Sequence, residues 1–285
     1  MVITNGVVKQ VGGERMPRKV FGVIGGGMMG EALVARLLNR DIFAPEAVLV
    51  SDPQAARREA LHHTYGVQTT AENQSVVDAA ETVLLAIKPQ LLTAVAGSLK
   101  PSDHATPPLL LSILAGVPLG RLEQAFPNWA VMRAMPNTPA TVGAGITALA
   151  AGSAVSEQQR EQARTIFASV GTVVEVPEYQ MDAVTALSGS GPGYLALVVE
   201  ALADGGVAVG LPRATALELA IATVRGTGEL LYQNDLHPAV LKDRVTSPGG
   251  TTIAGIAALE AGGLRSAFMN AVRAAYSRSK ELGQS

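Results

Sequence analysis

From Lys19 onward, short apolar runs alternate with stretches of helical periodicity, the pattern of a parallel sheet whose crossovers are helices. The runs predict strands at Lys19–Gly25, Ala47–Ser51, Gly66–Thr69, Thr82–Ile87, Leu109–Ile113 and Trp129–Met135. Helices are expected between them at Met29–Arg40, Gln54–His62, Asn73–Ala79, Gln90–Leu99 and Leu119–Phe126. Two further strands, Gly145–Ala150 and Thr172–Val176, flank a helix that opens after Ser156, with Glu and Gln in its first turn as a capping box requires. After Pro177 no β-rich run recurs. The remaining chain predicts helices at Met181–Ser188, Tyr194–Val209, Pro212–Gln233, Pro238–Val245, Thr252–Ala261 and Leu264–Glu281, with Gly210 as a stop and Pro212 in a first turn. Residues 1–16 read as a loose, flexible arm, 17–177 as an α/β domain and 178–285 as an all-helical domain.

Composition narrows the partners. Apolar residues make up 48% of the 285 and charged ones 16%, too apolar for a disordered chain and enough to expect surface buried in a homo-oligomer. A net charge of −2 with scattered Lys and Arg argues against a nucleic-acid partner. With no cysteine and four scattered histidines, neither disulfides nor a metal site is expected. The uncharged stretches Leu109–Gly120 and Ala183–Val199 are too short for a bilayer or are broken by Gly, Pro and Ser. A soluble, cytoplasmic protein with no membrane partner is therefore expected, and Met1–Arg15 lacks the apolar region of a signal peptide.

The segment Val23-Ile24-Gly25-Gly26-Gly27-Met28-Met29-Gly30 places G-x-G-x-x-G between a strand and a helix. Gly25 permits a tight turn, Gly27 lets a pyrophosphate approach the backbone, and Gly30 lets the helix pack on the strand. Met28 and Met29 occupy the first helical turn beside the cofactor and read as packing side chains. The expected domain is a Rossmann-type parallel sheet that binds NADPH or NADH. Asp52 follows the second strand where a carboxylate bonds the ribose 2′-OH, which favours NADH. Ser51, Arg57 and Arg58 stand close by in sequence and suit a 2′-phosphate, so both cofactors remain open.

The carboxyl-terminal part carries Leu241-Lys242-Asp243-Arg244-Val245-Thr246-Ser247-Pro248-Gly249-Gly250-Thr251-Thr252, a loop running straight into a helix. Together with Ala86-Ile87-Lys88-Pro89, Met135-Pro136-Asn137-Thr138-Pro139 and Ser188-Gly189-Ser190-Gly191-Pro192-Gly193-Tyr194, it closely resembles the pyrroline-5-carboxylate reductases, in order and spacing, over about residues 17 to 282. The resemblance implies a Rossmann domain followed by a helical domain that dimerises by interleaving helices, with rings of dimers such as decamers common among relatives. It implies NAD(P)H-dependent reduction of 1-pyrroline-5-carboxylate to L-proline. It further implies that Asn73 and the segment Ala86, Ile87, Lys88 and Pro89 border the cofactor, that Asn137 lies near the nicotinamide, and that Ser190 and Asp235 line the cleft. Ile87 and Gly193 depart harmlessly from the commoner valine and alanine. Asp52 stands where NADPH-preferring relatives often carry a small hydroxyl residue.

The chemistry itself sets requirements. Reducing a cyclic imine needs a hydride donor over the carbon, a hold on the substrate carboxylate and a hydrogen-bonding group near nitrogen. Consecutive amides at Gly250, Thr251 and Thr252, opening a helix, form an anion cradle that Gly249 and Gly250 leave accessible. The Thr252 hydroxyl is then placed for the ring nitrogen and Ser247 for the carboxylate, with no strong acid needed if the iminium enters. On local sequence alone the same residues read as a helix cap, and Lys88 as a surface charge ahead of Pro89. Two rival readings stand beside this one, the first an enzyme of similar two-domain plan. A β-hydroxyacid dehydrogenase would need a lysine as acid-base, and Lys242 is the only one between Tyr194 and Ser279. A redox sensor would bind NAD(P)H without turnover.

Overall fold

The computed structural model of the protein describes residues 19–100 and 107–284; the arm expected over residues 1–16 lies outside the described residues. Eight strands form one sheet: β1 (Lys19–Ile24), β2 (Val48–Ser51), β3 (Gln68–Thr70), β4 (Ala80–Leu85), β5 (Leu109–Ser112), β6 (Ala130–Met135), β7 (Gly145–Ala151) and β8 (Gly171–Glu175). Their order is β3-β2-β1-β4-β5-β6-β7-β8. Helices α1 (Met28–Asn39), α2 (Ala55–Tyr65), α3 (Asn73–Ala79), α4 (Leu92–Ser98), α5 (Leu119–Ala125) and α6 (Glu157–Ala168) connect them.

All neighbouring strands are parallel except β6 and β7, which run antiparallel with Met135 opposite Ala148. The reason is the connection between them, which holds only the 3₁₀ turn Thr138–Val142. A parallel return needs a crossover of about a dozen residues or more. Both faces of the sheet are covered, as expected when helices pack on both sides. Phe21, Leu84, Leu111 and Phe167 centre one buried cluster, and Ile24, Val83, Leu110 and Phe126 the other. The capping box expected at Ser156 is present: its hydroxyl accepts the Gln159 N–H, and the Gln159 side chain accepts the Ser156 N–H.

Two strands move by two residues, the others by one at most. Gly66 adopts a left-handed conformation that ends α2, so β3 begins only at Gln68. The strand expected over Thr82–Ile87 instead spans Ala80–Leu85. Ala86 and Ile87 therefore lie in the loop beyond the carboxyl end of β4, where open α/β sheets bind ligands.

Beyond β8 the chain is helical: α7 (Met181–Val184), a π turn at Thr185–Gly189, α8 (Gly191–Ala208), α9 (Arg213–Gln233), α10 (Pro238–Arg244), α11 (Thr251–Ala261) and α12 (Leu264–Gln284). Two compact units emerge. One holds the sheet and the chain up to Gly189, together with the end of α12 from Tyr276; the other is Ser190–Ala275. The change of secondary structure at Pro177 thus precedes the change of unit, because Met181 is fully buried in the sheet's second cluster.

In the second unit α8 and α9 pack through Ala203, Ala216 and Ala220, with Val199 and Val207 beside them. Gly206 permits this approach, since a Cβ there would meet Ala216 Cβ at 3.0 Å. That core is small for five helical segments. Leu195, Leu197, Leu202, Leu219 and Ile221 all remain at least half exposed within the chain. So large an apolar surface is characteristic of a face covered by another subunit.

Candidate active site

The glycine-rich turn joins β1 to α1 and each glycine has its own reason. Gly25 has φ +101°, and a Cβ there would lie 2.6 Å from the Ala86 carbonyl oxygen. At Gly30 a Cβ would lie 2.5 Å from the Gly25 carbonyl oxygen, so helix and turn touch directly. A Cβ on Gly27 would meet nothing within 4 Å. Its smallness is not demanded by packing, and the open space at the helix N-terminus fits a dinucleotide pyrophosphate. Met29 packs on the core while Met28 is exposed beside Gly27.

Side chains brace the turn from both sides. Asp52, just past β2, accepts the Gly26 N–H on Oδ2 at 3.0 Å and the Gln54 N–H on Oδ1 at 2.9 Å. Arg57 of α2 donates to the Gly26 carbonyl and pairs with Glu31 of α1. Tyr65 donates to the other Glu31 oxygen at 3.0 Å. Burial, and then the hydrogen bond to the Glu31 carboxylate, push the Tyr65 phenol above its ordinary value, so it remains a donor at neutral pH. Glu31 and Tyr65 were not foreseen from sequence. An acid immediately after the last glycine was the signal for the first; the second lies 34 residues from its partner and had none.

Ser51 is fully buried and donates to Asn73 Oδ1 at 2.7 Å, holding that amide at the start of α3. Past β4, Ala86 and Ile87 are half-buried, Lys88 is exposed at the start of the 3₁₀ turn Pro89–Leu91, and the Ala86 N–H still bonds the Ile24 carbonyl at 2.8 Å. Asn137, past β6, accepts the Ile146 N–H at 2.9 Å on Oδ1. The sheet thus brings Gly25–Gly30, Asp52, Asn73, Ala86–Pro89 and Asn137 to the carboxyl ends of β1, β2, β3, β4 and β6.

The second unit holds the other expected residues. Ser247 to Gly250 form a turn closed by a 3.0 Å bond from the Gly250 N–H to the Ser247 carbonyl. Pro248 and Gly249, the latter at φ +70°, occupy the central positions that a type II turn favours. A Cβ on Gly250 would meet Ser247 Oγ at 2.3 Å, so glycine lets that hydroxyl lie against the helix start. Helix α11 then opens without a side-chain cap. Because the Gly250 amide is spent in the turn, the outward donors are those of Thr251, Thr252 and Ile253, one residue later than expected. Ser190 stands at the start of α8, and Gly193 donates to its carbonyl at 3.0 Å. His237 accepts the Ala239 N–H and caps α10, and Lys242 is exposed and paired with Asp243 at 3.2 Å.

Comparison with known proteins agrees with both halves. Residues 178–282 match the family model described as pyrroline-5-carboxylate reductase dimerisation, and residues 20–116 match NADP oxidoreductase, coenzyme F420-dependent. The pyrroline-5-carboxylate reductase of Synechocystis is 57% identical over 93% of this chain and 98% of its own length. That of Methanosarcina acetivorans is 43% identical over 94% and 100%. Among solved structures, the reductase of Coxiella burnetii superposes with TM-score 0.86 at 34% identity, covering 95% of this chain and all of that one. The Plasmodium falciparum enzyme, solved with NADP bound, gives 0.83 at 31%, covering 94% of this chain and all of that one. The helical unit with its uncovered leucines is accordingly a dimerisation domain, and the chain belongs to the pyrroline-5-carboxylate reductase family.

Proposed function

We propose that the protein reduces the C=N bond of 1-pyrroline-5-carboxylate to give L-proline, the last step of proline biosynthesis, with NADPH or NADH as hydride donor. The observation that carries this reading is the uncapped start of α11 behind the Ser247–Gly250 turn. Three N–H groups at a helix N-terminus suit a carboxylate by hydrogen bonding and by the helix dipole. The Thr252 hydroxyl, half-buried in the first turn, is assigned to the ring nitrogen. Ser247, Gly249 and Ser190 line the carboxylate's side of the pocket in this reading.

The reduced nicotinamide supplies the hydride when bound. The chain's part is orientation: the amides of α11 anchor the acid group, and Thr252 holds the nitrogen so that the imine carbon is presented. A protonated imine carries its own positive charge, so a neutral hydroxyl is sufficient beside it. Met28, Met29, Ser51 and Asn73 border or brace the adenosine side, and Ala86–Pro89 with Asn137 the nicotinamide side. The sheet-bearing part through Pro177 is read as the cofactor domain and the rest as the dimerisation and substrate domain.

We further assign the protein to the cytoplasm as a soluble homodimer able to assemble into rings of dimers. The helical run Glu178–Ala208 is long and apolar enough by length and composition to cross a membrane. It also carries the π turn Thr185–Gly189 and lies within the dimerisation match, which favours a second copy as the cover for its leucines. The enzyme is tested by following NADH and NADPH oxidation with pyrroline-5-carboxylate, with a 3-oxoacid and with neither. Turnover with the imine alone is expected; turnover only with the oxoacid, or binding without turnover, rejects the reading.

A further inference from the structure

The charged network around Gly26 bears on which dinucleotide the site accepts. The inference rests on the cofactor site being used as proposed above. Asp52 presents a half-buried carboxylate at the carboxyl end of β2, the place where a Rossmann site meets the adenosine ribose. Each of its oxygens already accepts one backbone N–H, from Gly26 at 3.0 Å and from Gln54 at 2.9 Å. The carboxylate is thereby fixed in place, and turning it away would leave two amides without acceptors. An ionised carboxylate only accepts hydrogen bonds. A ribose 2′-OH offers it a proton; a 2′-phosphate offers none and adds about −1.5 to −2 of charge.

Of the groups that could compensate that charge, Arg57 is neutralised by a carboxylate and Arg58 is tied to backbone carbonyls. Arg57 pairs with Glu31 and donates to the Gly26 carbonyl. Arg58 Nη1 donates to the Asp52 and Pro53 carbonyls at 2.8 and 3.0 Å. Ser51, the hydroxyl adjacent to Asp52, is fully buried and donates to Asn73. Tyr65 completes the arrangement by donating to the Glu31 oxygen that Arg57 does not use. From this we infer that the site discriminates against the 2′-phosphate, with Asp52 the specificity-determining residue and Glu31 a positioning residue that keeps Arg57 on the glycine turn. The chain then prefers NADH, although its relative from Plasmodium falciparum was solved with NADP.

The test is calorimetric titration of the full-length protein with NAD⁺ and with NADP⁺, beside Asp52→Asn and Glu31→Gln. The parent is expected to bind NAD⁺ about tenfold or more tightly than NADP⁺, since the 2′-phosphate would meet a fixed like charge. Asp52→Asn keeps an acceptor for the Gly26 amide and removes the charge, so the ratio should fall by about tenfold. Glu31→Gln should release Arg57 and tighten NADP⁺ alone, a change that mere loosening of the fold would not produce. A parent that binds NADP⁺ as well as NAD⁺, or an unchanged ratio in Asp52→Asn, overturns the inference, and so does absence of binding by either dinucleotide. Turnover with pyrroline-5-carboxylate, measured in parallel, judges the proposed function separately: a preserved binding preference without turnover rejects that function and leaves the specificity standing.

Discussion

Ser279 donates a 2.7 Å hydrogen bond to Asp182 across 97 residues of chain, joining the end of α12 to the first helix after the sheet. Ser279 is buried, and Asp182 also lies 4.0 Å from Arg133, a buried arginine of β6 whose nearer partner is Glu178 at 2.9 Å. The Leu119 N–H, opening α5, donates to the same Glu178 oxygen at 3.0 Å. One charge cluster therefore fastens four segments to the sheet-bearing unit.

Removing its cation should be costly. Arg133→Met leaves two carboxylates facing a buried gap, and a loss of about 2–4 kcal/mol is expected, toward the lower part of the range for broken buried pairs because the carboxylates are partly exposed. Ser279→Ala removes one bond to a charged group and should cost about 1–2 kcal/mol. Urea unfolding of the two variants checks both the values and their order.

Gly25 and Gly27 should respond oppositely to alanine. At Gly25 the positive φ and the 2.6 Å approach to Ala86 demand a backbone shift, so Gly25→Ala is expected to lower the melting temperature. At Gly27 nothing of the protein is in the way, so Gly27→Ala should melt like the parent yet bind dinucleotide at least about tenfold more weakly. Thermal melting alongside calorimetric titration separates the two effects.

Thr252→Ala should lower turnover by about one to two orders of magnitude, the scale for a positioned hydrogen-bond donor, while cofactor binding stays at the parental level. Thr252→Ser keeps the hydroxyl and should recover most of the rate. Steady-state kinetics with pyrroline-5-carboxylate decides; a full rate in the alanine variant removes Thr252 from the reaction.

Tyr65 gives a pH signature. Its phenol is raised above 10.0 by burial and by the Glu31 carboxylate. A raised folded value means that the stability it contributes is complete below the unfolded value and is lost as pH climbs through the folded one. The parent should therefore lose stability at strongly alkaline pH with a slope that Tyr65→Phe reduces. Chemical unfolding across that range measures the difference.

Where sequence and structure agree, a local rule was decisive. The Ser156 capping box, the predicted α3 over Asn73–Ala79, and the glycine turn all follow from residues a few positions apart. The antiparallel β6–β7 pair follows from the length of a connection, a weaker cue than apolar alternation, which predicts a parallel sheet and sets no direction for that one pair. The Ala86–Pro89 segment was recognised as a site while being placed partly in a strand, because apolar Ala86 and Ile87 continue the β4 pattern past its last paired residue, Leu85. The Arg133 cluster and the Glu31–Tyr65 bond were hidden for another reason. Their partners come from segments that only the sheet order brings together, and no spacing along the chain encodes that proximity.

The most direct measurement is a crystal structure of the protein soaked with L-proline and oxidised cofactor. The proline carboxylate should lie within hydrogen-bonding distance of the Thr251 and Thr252 amides, with its ring nitrogen facing the Thr252 hydroxyl. Proline bound away from the start of α11 would contradict the account.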